Sequence, residues 1–180
     1  HHISYREFNS QLIDPDNIKN NSGLPFKVFT PYSKKMRSLI TPDILSETPA
    51  PIKQKNRILY QDEIPQFQDA YDQELNFSFD DFPLTESSAI QKLDDFIDSS
   101  IQNYKELRDI PSLSATSNLS SSFAIGLISS KQAINHVLGS LPDENGTGQF
   151  TWITEIIWRE FYKYITCLLY TSPSPRDRSS

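Results

Sequence analysis

Apolar positions in the second half of the chain recur at helical spacing. Ile90, Leu93, Ile97, Ile101 and Tyr104 are separated by three and four residues with Phe96 beside them, while Asp94, Asp95 and Asp98 take the other face. This predicts an amphipathic helix beginning after Pro83, with Thr85 placed to cap it. The turn-forming string RDIPSLSATSN leads to a short apolar segment, Leu119 to Leu127. Ser129 or Ser130 then opens a helix that runs through Leu138 and is expected to end at Gly139. After the loop LPDENGTG, Thr151 is expected to open the most regular helix of the chain, TWITEIIWREFYKYI.

The first half reads differently. ISYREF (3–8) and FKVFT (26–30) read as short strands separated by DPDNIKNNSG, whose Asp, Pro, Asn and Gly residues supply turn chemistry. Two short strands cannot bury themselves, so residues 1–40 are expected to be the edge of a larger unit whose other strands lie upstream. Residues 41–83 carry prolines at 42, 49, 51, 65 and 83, many acids and few periodic apolar positions. That is a long linker with isolated anchors such as Ile58, Leu59 and Tyr60. Beyond Ile165 the periodicity stops, and CLLYTSPSPRDRSS has no apolar spacing with which to pack. Cys167 to Asp177 also looks like a translated sequencing adaptor, so residues 167–180 are expected to be a non-native tail. With no initiator Met, the chain is expected to be an internal fragment truncated at both ends.

Composition narrows the classes. The apolar fraction is 37%, and even with the five glycines it stays below the roughly 45–50% of average globular chains, so the core is small or incomplete. No stretch approaches the ~18 uninterrupted apolar residues of a membrane span, and a soluble protein of the reducing cytoplasm is the expectation. The single cysteine and three histidines leave no disulfide framework and no basis for a metal site. The net charge of −6 argues against nucleic-acid binding only if the charge is spread evenly, and it is not. Residues 1–60 hold nine Lys/Arg and five Asp/Glu, residues 61–100 hold one and eleven, and residues 101–180 hold seven of each. The acidity belongs to one segment, which reads as a solvated linker and says little about the remaining surface.

The last helix carries most of the candidate chemistry. With Trp152 set at zero on a helical wheel, Arg159 falls at about 340°, Lys163 at about 20° and Glu155 at about 300°. Ile153, Ile157, Phe161 and Tyr164 gather on the other side as a core stripe, and Trp158 extends the polar side beyond Glu155. Two accounts stay open at this point. One is a surface helix with a Glu155 to Arg159 pair worth roughly a few tenths of a kcal/mol and two snorkelling tryptophans. The other is a ligand face, in which an aromatic plane and a guanidinium suit a flat, phosphate-bearing molecule and the carboxylate accepts from ring NH groups. The segment ATSNLSSS favours the second, because Thr116, Ser117 and Ser120 with the backbone NH groups at the mouth of a short helix could hold a phosphate without a glycine-rich loop.

The strings YKELRDIP, ATSNLSSSFAIGLIS and WITEIIWREFYKYI, in this order and spacing, resemble the start of the flavin-binding helical domain of the DNA photolyase/cryptochrome family. GLPFKVFTPYSKK resembles that family's passage from the N-terminal α/β antenna domain into the interdomain connector, and the resemblance covers about residues 5–166. The run Trp158, Arg159, Glu160, Phe161, Tyr162 looks like bacterial class I cyclobutane-dimer photolyases, whereas animal cryptochromes and (6-4) photolyases usually place a second Phe before the Tyr.

The resemblance implies a mainly α chain: the end of an α/β antenna domain over residues 1–40, a linker over 41–83, and the first part of the all-helical FAD-binding domain over 84–166. It implies that Tyr104, Thr116, Ser117, Asn118, Leu119, Ser120, Trp152, Glu155, Arg159 and Lys163 contact FAD, although many relatives carry Arg or Lys where this chain has Asn118. Arg108, Glu155, Trp158, Arg159 and Tyr162 would meet ultraviolet-damaged DNA, with Trp158 stacking on the flipped lesion. Glu155 would be the catalytic residue, its carboxyl bonding the pyrimidine carbonyl where negative charge develops, provided that it is protonated or shares a donor. The implied activity is light-dependent repair of pyrimidine dimers by electron transfer from reduced FAD, in a protein that is monomeric at full length and carries a second, folate or deazaflavin type antenna chromophore. A cryptochrome-type photoreceptor would use the same pocket, and most residues that separate the two activities are expected downstream of Ile165. A small helical interaction module without a ligand is the third reading, which the order of the three strings disfavours.

Overall fold

In a computed structural model the described residues are 11–46, 82–142 and 144–170. Among them the chain is helical: no strand forms, and the nearest approach to one is an isolated bridge between Lys19 and Pro25. The expected strand over 26–30 is therefore replaced. Residues 26–28 stay out of helix, and Phe29 with Thr30 begins helix α1 (Phe29–Leu39), with extended Val28 as its N-cap. The reason lies in the spacing of buried residues: Tyr32 and Met36, four residues apart, both go inside, so helical rather than alternating burial wins there. The strand expected over 3–8 lies outside the described residues, as do Ile58, Leu59 and Tyr60.

Residues 11–28 form an irregular layer. Asp14 caps a single 3-10 turn, Pro15–Asn17, and the Asn20 side chain accepts from the backbone NH groups of Ser22 and Leu24 to close the next turn. At the start of the expected linker, Pro42–Leu45 is a short helix, α2, whose cap Thr41 accepts from Ile44 and whose Leu45 is buried. Helix α3 (Glu86–Ser99) opens on a reciprocal capping box between Thr85 and Ser88. It stops earlier than its apolar period: Ile101–Asn103 is a 3-10 turn, and Tyr104–Leu107 forms a separate helix, α4. Ile101 and Tyr104 are both buried on the far side of this break.

Helix α5 (Ser120–Ile125) is ended by Gly126 at φ 79°, a left-handed conformation in which glycine carries no Cβ penalty. Helix α6 (Ser130–Ser140) has Ser129 as cap with Gln132 completing its capping box. Gly139 lies inside this helix rather than ending it, because Leu141 supplies the C-cap. Helix α7 (Gly148–Tyr170) starts three residues before Thr151 and runs past Ile165. It is the axis of the fold, packing against α1, α4, α6 and the 3-10 turn after α3, while α6 also receives α2 and α3. Ile153, Ile156, Ile157, Phe161 and Tyr164 all enter one core with residues of every other helix.

Polar contacts join residues 11–39 to α7. The Tyr164 hydroxyl accepts from the Phe26 backbone NH at 2.9 Å and donates to the Ile18 carbonyl at 3.0 Å. Arg37 on α1 donates to the Phe150 carbonyl and to Thr154 Oγ1 while lying 3.8 Å above the Phe150 ring.

Candidate functional site

Helix α7 distributes the sequence-derived candidates among four neighbourhoods. At its first turns Trp152 is buried, with its ring near Phe96 and its indole NH donating to Ser117 Oγ at 3.3 Å. The indole thus belongs to the core under the Thr116–Ser120 segment and is not an open plane on the polar face. In that segment Thr116 Oγ1 donates to Asn118 Oδ1, Asn118 takes a left-handed φ of 49°, and Leu119 is buried beneath it. Asn tolerates this conformation better than most side chains, since its short amide bonds locally.

One turn further along, Glu155 meets Arg108. The Arg108 guanidinium donates to Glu155 Oε1, and both groups remain about one-third exposed, at 32% and 40%. Tyr104 lies beside them, with the guanidinium 5.9 Å from its ring centre. Burial, then the Glu155 carboxylate, pushes the Tyr104 hydroxyl above its usual range, and the hydrogen bond to Glu155 strengthens Arg108's hold on its proton. Three residues drawn from two sequence strings therefore form one cluster. The i, i+4 pair expected between Glu155 and Arg159 does not form, because Arg108 takes the carboxylate and Arg159 turns to Glu160.

Arg159 and Lys163 line a cleft of about 370 Å³ between the end of α5 and the start of α6. Arg159 donates to the Phe123 carbonyl at 2.8 Å and to Glu160 at 3.0 Å, and its guanidinium lies 5.4 Å from the Phe123 ring centre. Two cations beside an apolar wall suit a molecule with a phosphate and a flat ring. In α5, whose end forms part of this wall, the Ser122 hydroxyl is buried without a hydrogen-bond partner. Ser122 itself does not line the cleft, whose cations Arg159 and Lys163 suit an anionic group such as a phosphate.

Trp158 occupies the fourth neighbourhood. Phe29 lies on it with ring centres 3.4 Å apart and planes 7° from parallel, and Tyr162, which is 63% exposed, stacks at 5.6 Å. A base that used this indole as a platform would have to displace one of the two rings.

The sequence reading missed Glu160, which is 1% exposed. Its Oε2 accepts from the Leu12 backbone NH at 2.9 Å, and its Oε1 accepts from Ser130 Oγ at 2.8 Å as well as from Arg159. A signal existed, since Glu160 falls at about 80° on the wheel, among the core isoleucines. A carboxylate on a core stripe requires partners, and removal of one member of a buried charged pair costs on the order of 3–5 kcal/mol.

Among the described residues no helix is long and apolar enough to cross a membrane, and no group of three or more His, Cys, Asp or Glu side chains is placed to hold a metal ion.

Comparison with curated proteins finds matches along most of the chain. It is 30% identical over 162 residues to the deoxyribodipyrimidine photo-lyase of Salmonella typhimurium, covering 87% of this chain and 33% of that protein. It is 30% identical over 173 residues to the Neurospora crassa protein of the same name, covering 86% and 28%, and 28% identical over 158 residues to that of Escherichia coli, covering 87% and 33%. The chain spans about a third of the length of the curated relatives it matches. No family model matches the chain, and no solved structure matches it.

Proposed function

Given that the chain belongs to the photolyase family, we propose that it is the segment of a light-dependent DNA repair enzyme that joins an antenna domain to a flavin-binding helical domain and begins the latter. The whole protein would split cyclobutane pyrimidine dimers. The observation that carries this reading is the line Glu155, Arg159, Lys163 along α7, with Arg108 and Tyr104 brought to its first member from α4 and its C-cap. An acid paired with a cation stands next to a cationic cleft, as a protein handling both a phosphate-bearing cofactor and a base would require.

Arg159 and Lys163 would hold the phosphates of FAD, with the Thr116–Ser120 segment and Tyr104 as further contacts. When bound, the reduced flavin supplies the light-driven electron. The chain's own residues do the positioning. A bare Glu155 carboxylate would repel the charge that develops on a pyrimidine carbonyl, and Arg108 supplies the donor that the carboxylate lacks. Trp158 would serve as the stacking surface for the flipped lesion once Tyr162 swings aside. A folate or deazaflavin antenna chromophore, a monomeric state and a cytoplasmic location accompany this reading. A cryptochrome-type photoreceptor would share the pocket, and the names of the relatives favour repair.

The test uses the full-length protein carrying this segment. Glu155→Ala, which frees the Arg108 guanidinium that Glu155 holds in place, is expected to lower repair per bound lesion by up to the ~2.7–4 kcal/mol typical of one preorganised donor contact, with flavin content little changed. Trp158→Ala is expected to weaken lesion binding by about 1–3 kcal/mol and to leave the yield from bound lesion nearly intact. Equal repair by the Glu155→Ala variant, or flavin loss as its main defect, would overturn the catalytic assignment.

A further inference from the structure

Glu160 is buried at the junction of three parts of the chain. Its Oε2 holds the Leu12 backbone NH, from a segment 148 residues away, and its Oε1 holds Ser130 Oγ at the start of α6 and Arg159 Nη1 on its own helix. Ser130 Oγ in turn lies 3.5 Å from Arg159 Nη1, so carboxylate, hydroxyl and guanidinium close a triangle. Lys163 stands 3.9 Å from the same carboxylate oxygen. Every one of these partners except Leu12 lines the cleft between α5 and α6.

We propose that Glu160 is the positioning residue for Arg159, fixing its guanidinium against the cleft so that its remaining NH groups face a bound phosphate. This role rests on the flavin site proposed for the same cleft. A guanidinium on a flexible stem loses rotamer freedom when it binds a ligand, and a contact that holds it beforehand removes that cost from the binding step. The Phe123 carbonyl fixes the other end of the same guanidinium at 2.8 Å, which leaves little freedom of rotation.

Electrostatics alone gives the opposite expectation, and this separates the two effects. Glu160 puts a negative charge beside Arg159 and Lys163, so neutralising it would strengthen the attraction of the cleft for a phosphate. Positioning predicts that neutralisation weakens binding instead.

The experiment is a double-mutant cycle in the full-length protein, with the FAD dissociation constant read by flavin fluorescence and folding checked by thermal unfolding of the same samples. Glu160→Gln is expected to weaken FAD binding about tenfold when Arg159 is present and to have no effect on it in an Arg159→Ala background, within the usual range of coupling between contacting residues. Should Glu160→Gln not fold, Ser130→Ala is carried through the same cycle, with an expected loss of about threefold that again vanishes without Arg159. Tighter binding, or the same loss in both backgrounds, would overturn the positioning role and leave the flavin site standing. A parent protein that binds no FAD would overturn the flavin site, and the role of Glu160 with it.

Discussion

Phe29 lies flat on Trp158, ring centres 3.4 Å apart and planes 7° from parallel, although 129 residues separate them in the chain. The contact sets the plane of the indole from the first turn of α1, and Phe161 closes its edge at 5.9 Å from the Trp158 ring centre. A segment outside the last helix thus orients a side chain within it.

Removing the Phe29 ring while keeping an apolar side chain is the direct test. Phe29→Leu and Trp158→Leu, alone and together in the full-length protein, are expected to show a coupling of about 0.5–1.5 kcal/mol in denaturant unfolding, the usual worth of an aromatic pair beyond its buried area. Additive effects of the two substitutions would show that the stack carries no energy of its own.

Gly148 and Gly139 are expected to respond to alanine with opposite signs. A Cβ at Gly148 would run into the Ile101 carbonyl oxygen and lie 2.7 Å from that of Gln102, both backbone atoms that cannot step aside cheaply. Gly148→Ala is expected to cost about 1–3 kcal/mol or more. Gly139 is exposed within α6 with open space around it, and Gly139→Ala is expected to stabilise by about 0.5–1 kcal/mol. Urea midpoints for the two variants check both signs.

Alkaline pH is expected to unfold the segment through its buried phenols. Burial lifts the hydroxyls of Tyr32, Tyr104 and Tyr164 above the ordinary 10.0, helped at Tyr32 by Glu160 and at Tyr104 by Glu155. Well below pH 10 these groups are protonated in both folded and unfolded chains, so they add no pH dependence there. As pH rises above 10 the unfolded chain releases protons that the folded chain keeps, and stability falls. Tyrosinate absorbance is expected to lag behind the ordinary tyrosine titration until unfolding, and Tyr32→Phe is expected to make the fall in stability with pH less steep. Full titration near 10 in a chain that stays folded would contradict the burial of these hydroxyls.

The Trp152 to Ser117 hydrogen bond ties the Thr116–Ser120 segment to α7. Ser117→Ala leaves the indole NH without that acceptor and is expected to cost about 0.5–1.5 kcal/mol in the full-length protein, measured by thermal or denaturant unfolding. No measurable change would mean that the indole finds another partner.

Local signals made much of the helical architecture legible from residues alone. Thr85 and Ser129 cap α3 and α6 because a hydroxyl within reach of the third helical NH is a property of four consecutive residues, and Ile153, Ile157, Phe161 and Tyr164 face the core because their period is that of the helix. The same locality explains what went unread. Phe29 and Thr30 look β-forming in isolation, and only burial of Tyr32 and Met36 against α7 makes their segment helical. Glu155 and Arg159 could be named as candidates from type and spacing, and Tyr104 from the family resemblance, but none of them could be paired. Glu155 has Arg159 one turn away and Arg108 47 residues away, and it takes the distant partner because α4 packs on α7 and brings that guanidinium to its oxygen. Glu160 goes inside for the same kind of reason: beyond its neighbour Arg159, its carboxylate needs donors that other segments deliver, and Leu12 and Ser130 converge there by tertiary packing that no local pattern in the chain encodes.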